Sequence, residues 1–128
     1  MRVRHVMVVE DDTDLRLNIA ELLRSEGYDV QEAGHGQEAL QLLRRLPPEA
    51  RPCCIILDLM MPVMPGEVFV RELAAKHPQD LGRIPIIVTT AKGSADEGID
   101  VPPRTAALLR KPFEIDDLLG VIAQHCNT

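Results

Sequence analysis

Cys53-Cys54-Ile55-Ile56-Leu57-Asp58 is an apolar run of five residues closed by a carboxylate. Unbroken apolarity over so short a length suits a strand covered on both faces, as in the middle of a parallel sheet. Working outward, His5 to Val9 (HVMVV) has the same character and stops at Glu10-Asp11-Asp12. Asp29 to Ala33, Ile84 to Thr89 (IPIIVT) and Ala106 to Arg110 supply three more strands. Between them the apolar residues recur at helical spacing. Leu15, Ile19, Leu22 and Leu23 follow a cap at Asp12 or Thr13 and precede Gly27. Gln37 to Leu46 carries Ala39, Leu40, Leu42, Leu43 and Leu46, and Pro47-Pro48 stops it. Glu67 to Lys76 turns Phe69, Val70, Leu73 and Ala74 inward, and Ile115 to His125 does the same with Leu118, Leu119 and Ile122. Strand and helix alternate, which predicts an α/β fold: a parallel sheet with helices on both faces. The stretch between Ala91 and Thr105 breaks the rhythm, because Gly93, Ser94, Gly98, Pro102 and Pro103 leave little apolar periodicity. A fourth helix there is expected to be short or irregular.

At 128 residues the chain suits one domain, 1–128, with a single core. Apolar residues at 45% and charged residues at 27% have the balance of a globular protein. No apolar run approaches the roughly 20 residues that span a bilayer. Met1-Arg2-Val3-Arg4-His5 leads into a strand with no secretory-signal architecture, so the expected location is the cytoplasm, away from any membrane. A net charge of −6 argues against direct nucleic-acid binding, which draws on clustered Lys and Arg. Cys53, Cys54 and Cys126 show neither a Cys-x-x-Cys spacing nor a paired framework, and they read as small core residues.

In a doubly wound sheet, ligands sit beyond the carboxyl ends of the strands. Glu10-Asp11-Asp12 follows the first strand, Asp58 the third, Thr89-Thr90 closes the fourth, and Lys111 follows the fifth. Each alone could be a helix cap or a loop dipeptide; the weight comes from their arrival at one edge. Carboxylates gathered without a cation repel and raise one another's pKa, so the cluster asks for a hard metal, and Mg²⁺ suits oxygen ligands shared with a phosphate. A carboxylate nucleophile, a metal, a hydroxyl and an ammonium are the parts of a phosphoryl-transfer site.

Val8-Val9-Glu10-Asp11-Asp12, Ile56-Leu57-Asp58-Leu59-Met60-Met61-Pro62 with Gly66, Val88-Thr89-Thr90-Ala91, and Lys111-Pro112-Phe113 resemble, in order and spacing, the sequence blocks of the bacterial response-regulator receiver family of two-component signalling. The resemblance covers nearly the whole chain. It implies a flavodoxin-like doubly wound sheet of five strands in the order 2-1-3-4-5. It also implies that Asp58 is the phosphoacceptor, taking a phosphoryl group from a sensor histidine kinase, a phosphotransfer protein or a small donor, and that the state of Asp58 is signalled to a downstream protein. Asp11 and Asp58 would touch Mg²⁺ directly, Glu10 through water, and the Met60 carbonyl would complete the protein ligands. Asp12 would cap the following helix. Thr90, directly before Ala91, matches the switch hydroxyl, and Lys111 would pair with another phosphoryl oxygen. The Lys111-Pro112 bond is expected to be cis, and Gly66 to permit a tight turn after the third strand.

The sequence also departs from the family. Leu108 stands where the family usually has Tyr or Phe, and Arg104-Thr105 replaces a small Gly-Ala pair. These changes bear on signal output, together with the segment from Lys92 to Arg104, for which an order–disorder switch acting through Thr90 is one reading and a degenerate loop another. Met60 and Lys92 occupy positions that border the path of hydrolytic water in the family. No enzymatic activity is expected beyond autocatalytic phosphoryl acceptance and hydrolysis. An aspartyl-phosphate hydrolase resembles Asp-x-Asp, and Met60 lacks the second carboxylate. A degenerate receiver serving as an interaction module is a further alternative. A flavodoxin-like cofactor binder conflicts with carboxylates placed where an anionic phosphate would sit.

Overall fold

The computed structural model describes residues 4–59, 61, 64–91 and 105–126. Five strands, β1 (His5–Val9), β2 (Asp29–Ala33), β3 (Cys54–Asp58), β4 (Ile86–Thr90) and β5 (Thr105–Arg110), form one parallel sheet in the order β2-β1-β3-β4-β5. The helices are α1 (Thr13–Ser25), α2 (Gly36–Arg45), α3 (Gly66–Lys76), α4 (Pro78–Arg83) and α5 (Ile115–Cys126).

The continuous apolar runs have a direct cause: each central strand is covered on both sides. Met7, Val9, Ile55, Leu57, Ile86 and Val88 pack on one face with Leu40 and Leu43 of α2 and Phe69 and Leu73 of α3. Val6, Val8, Cys54, Ile56 and Ile87, the alternate residues, pack on the other with Ile19 and Leu23 of α1 and Leu118 and Ile122 of α5. A period of two along the strand sends neighbouring side chains to opposite faces, and here both faces are dry.

Local chemistry sets the helix ends. Asp12 is extended and its carboxylate accepts from the Leu15 amide, capping α1, while Gly27 at φ 95° lies just past its C-terminal end. His35 caps α2 through Nδ1, which accepts from the Glu38 amide, and Glu38 reaches back to accept from the Gly34 amide. The reciprocal pair is a variant of the capping box.

Four expectations need correction. Ala74 does not turn inward: it is exposed, because the buried stripe of α3 runs through Phe69, Val70 and Leu73. β4 begins at Ile86 and not Ile84, since Pro85 has no amide for the ladder and contributes only its carbonyl, which accepts from Ile55. α4 was not anticipated; it is a single short helix with Pro78 in its first turn, linked through Asp80 to Arg51, which also donates to the Leu43 carbonyl. The expected irregular fourth helix, by contrast, falls in 92–104, outside the described residues.

The fourth correction concerns cysteine. Cys53 and Cys126 are joined in a disulfide with Cα atoms 5.2 Å apart, and Cys54 is free and buried. A sequence separation of 73 residues gives no local signal for this pairing; it arises because α5 runs back antiparallel to β3 and ends beside its first residue. On the chain-entropy account, a closed loop of this length contributes about 4 kcal/mol to stability.

Candidate functional site

β1 and β3 are neighbours, and both end at the same edge of the sheet. The acidic residues that follow β1 therefore meet the one that ends β3. Carboxylate oxygens of Glu10, Asp11 and Asp58 all lie within 4.8 Å of one another. Glu10 and Asp58 are buried, at 3% and 4% exposure, and Asp11 is exposed. The cluster thus opens to solvent on the Asp11 side.

Hydrogen bonds hold Glu10 firmly in place. Its carboxylate accepts from the Asp12 amide at 3.2 Å and from Lys111 Nζ at 2.7 Å, and its carbonyl accepts from Arg16 at 2.8 Å. Lys111 Nζ also lies 3.5 Å from Asp58 Oδ2. The lysine is positioned by its backbone, whose amide donates to the Thr90 carbonyl at 2.8 Å, and the Lys111-Pro112 bond is cis as expected. Thr90 is fully buried at the end of β4, one residue beyond the Asp58–Thr89 pairing, and the Leu59 amide donates to the Thr89 carbonyl. The structure thus brings Glu10, Asp11, Asp58 and Lys111 together and places Thr90 on the adjoining strand end. The Met60 carbonyl, expected as a further metal ligand, lies outside the described residues.

Burial pushes Glu10 up to about 7 from 4.5, and the adjacent Asp58 adds to the rise, although the bond from Lys111 opposes it. Burial also works against the charge on Lys111, but its bond to Glu10 and the negative charge of Asp58 outweigh this and hold its pKa above the ordinary range. The consequence for stability has a definite sign. A carboxyl whose folded pKa exceeds its unfolded value favours the fold while protonated, so its contribution is fully present below 4.5 and lost as pH rises through about 7. Metal-free protein should therefore melt at progressively lower temperature between roughly pH 5 and pH 8, and Glu10→Gln should flatten that dependence. Thermal unfolding in a chelating buffer tests this; equal slopes for the two proteins would contradict it.

Gly66 plays a steric part that differs from the expected turn. A Cβ at this position would lie 3.0 Å from the Leu59 Cα and 3.5 Å from the Asp58 carbonyl oxygen, and the Gly66 amide donates to the Leu59 carbonyl at 3.1 Å. The start of α3 thus presses on the backbone that leaves the phosphoacceptor candidate, and backbone cannot swing aside as a side chain can. Gly66→Ala is expected to destabilise by about 1–3 kcal/mol in urea unfolding. An unchanged midpoint would show that the contact yields freely.

A doubly wound sheet with carboxylates from two neighbouring strands and a lysine from beyond β5 meeting at one edge defines a signalling receiver of the flavodoxin-like class. Comparison with known proteins places it further. The family model for the response regulator receiver domain matches residues 6–123. Over 121 residues the chain is 38% identical to the transcriptional regulatory protein PdtaR of Mycobacterium tuberculosis, covering 93% of this chain and 55% of that protein. The receiver domain of sensor histidine kinase PA1611 from Pseudomonas aeruginosa, solved with magnesium coordinated in its active site cleft, superposes with a TM-score of 0.83. It shares 27% identity over 98% of this chain and 99% of its own. The chemotaxis protein CheY4 of Vibrio cholerae superposes at 0.79, with 27% identity over 96% and 98% of the two chains. The chain belongs to the response regulator receiver family of two-component phosphorelay signalling. It spans about half the length of the curated relatives it matches.

Proposed function

We propose that this chain accepts a phosphoryl group on Asp58 in a Mg²⁺-dependent reaction and reports that state to a partner protein. The observation that carries the reading is the position of Asp58: a buried carboxylate at the end of β3, with Glu10 and Asp11 oxygens within 4.8 Å and the Lys111 ammonium at 3.5 Å.

The donor set fits a hard cation, since all three side chains offer oxygen, and Asp58 adds to the rise that burial imposes on the pKa of Glu10. Glu10, Asp11 and Asp58 would hold Mg²⁺, which would neutralise the negative charge that an incoming phosphoryl group brings to the site. A carboxylate oxygen of Asp58 attacks phosphorus; an O–P bond forms as the donor's P–N or P–O bond breaks, and the bonding pair leaves with the donor. Lys111, already within reach of Asp58, balances negative charge on the incoming group. Thr90, at the adjoining strand end, offers its hydroxyl to a phosphoryl oxygen and so links the modified site to the chain that follows β4. Activity is confined to acceptance and autocatalytic hydrolysis. The partners are a sensor histidine kinase or phosphotransfer protein upstream and a protein target downstream, in the cytoplasm. The sensor kinase TmoS among the relatives, 36% identical over 116 residues, is consistent with such a relay.

Incubation with acetyl phosphate or phosphoramidate in Mg²⁺ or in chelator, followed by intact-mass measurement and peptide mapping, tests the reading. One adduct, located at Asp58 and formed only with Mg²⁺, is the expected outcome. An adduct elsewhere, or none with either small donors or a phosphorylated cognate kinase, would overturn it.

A further inference from the structure

While oxygen donors crowd the C-terminal edge of the sheet, the sulfurs of Cys53, Cys54 and Cys126 gather at the opposite edge, within 4.8 Å of one another. Cys53 immediately precedes β3 and Cys126 is the last residue of α5. Their disulfide therefore joins the start of the strand that ends on Asp58 to the end of the helix that begins just past Lys111. Leu118, Ile122 and Cys126 are the buried residues of α5 and recur every fourth position, so the bond is the last anchor of the stripe that holds the helix down. Among the described residues beyond Ile122, only Cys126 is buried.

The three sulfurs are not equivalent. Cys53 is half-buried, whereas Cys54 and Cys126 are buried, so of the bonded pair Cys53 is the residue nearer to solvent and to an attacking thiolate. Access to a sulfur is one of the factors that sets the rate of thiol–disulfide exchange. Cys54 sits close enough to compete, but burial pushes its thiol up to about 12, which keeps it protonated and a poor nucleophile. Its inertness protects the identity of the pair.

We propose that Cys53 and Cys126 form a reversible thiol–disulfide site, exchanged by dithiol reductants, whose oxidised state anchors the C-terminal end of α5 to the base of β3 and whose reduced state releases it. In the forward step a reductant thiolate attacks Cys53 Sγ, the S–S bond breaks, and the electron pair and then a proton go to Cys126 Sγ. The second thiolate of the reductant attacks the mixed disulfide and frees Cys53, which takes the second proton. Two electrons and two protons pass from dithiol to protein, and the reductant leaves as a disulfide. The site is independent of phosphoryl acceptance, and its test needs no phosphodonor.

The full chain is equilibrated in dithiothreitol buffers of graded oxidised-to-reduced ratio, quenched with acid, unfolded and alkylated, with peptide mapping of the products. A single reversible transition from one alkylated cysteine, Cys54, to three is expected, and Cys54→Ala should leave its midpoint in place. Hydrogen exchange by mass spectrometry on the two end states of the wild type should show peptides beyond Ile122 exchanging at least several-fold faster when reduced, with β1 and β3 unchanged. Cys126→Ser should reproduce the reduced pattern under oxidising conditions. Three alkylatable thiols in the oxidising buffer, a bond involving Cys54, or identical α5 exchange in the two states would overturn the proposal.

Discussion

Asp58→Asn is expected to abolish the Mg²⁺-dependent adduct and, at the same time, to raise the melting temperature of the metal-free protein. The first effect is chemical: an amide oxygen is not a nucleophile toward phosphorus, and the neutral side chain gives up a charged metal ligand. The second follows from the charge count at the site. Among the described residues, Lys111 is the ammonium that faces Glu10 and Asp58, so three negative charges gather about one ammonium once Glu10 ionises near pH 7. At an effective dielectric near 20, the Lys111–Asp58 attraction and one carboxylate repulsion are each of order 4 kcal/mol and nearly cancel. What survives is the second repulsion and the cost of burying the Asp58 charge, partly relieved by solvent on the Asp11 side. A net gain of about 1 kcal/mol, or a few degrees in Tm, is the expected size. Added Mg²⁺ should raise the Tm of the wild type and leave the variant nearly unmoved. Differential scanning calorimetry in chelator and in Mg²⁺ decides it: a lower metal-free Tm for the variant would mean that the lysine pair outweighs the repulsion.

The features legible in the sequence were those fixed by short stretches of chain. An apolar run such as Ile55 to Leu57 announces a strand dry on both faces, and the carboxylates after Val9 and at Asp58 reach one edge because parallel strands all end on the same side. Lys111, too, follows from being the first residue after β5. The disulfide could not be read this way, because it depends on where a helix finishes after the whole C-terminal half has folded, and no spacing between Cys53 and Cys126 encodes that. α4 escaped for a different reason: Pro78-Gln79-Asp80 has the makings of a helix start, but six residues are too few to display a period. Gly66 was found for its position and given a different reason by the structure. Its lack of a side chain matters through a close approach to Leu59 that only the folded loop creates.

Phe69→Ala is expected to cost the fold about 3–5 kcal/mol. With two phenylalanines, one tyrosine and no tryptophan, the chain builds its core mainly from aliphatic side chains, and among the described residues Phe69 is the largest fully buried side chain. It belongs to the cluster in which α2 and α3 meet β1, β3 and β4, and its ring lies against Gly36 at the start of α2. A void in so closely packed a cluster relaxes only partly, which is the condition under which cavity costs approach their upper range. Set against a total stability of about 5–15 kcal/mol for a domain of this kind, the loss is a large fraction, and Tm should fall on the order of 15 °C. Phe69→Leu, which keeps most of the volume, should lose less than half as much. The damage should reach the site, since Leu59 and Met61, on either side of the residue that follows Asp58's neighbour, pack in the same cluster. Mg²⁺ titration monitored by Tm, at a temperature where the variant is still folded, should therefore show weaker coupling than in the wild type. A variant with wild-type Mg²⁺ response and a Tm within a few degrees would show that the loop after Asp58 is held by the sheet edge alone, through the Leu59–Thr89 hydrogen bond, and owes nothing to the ring beneath it.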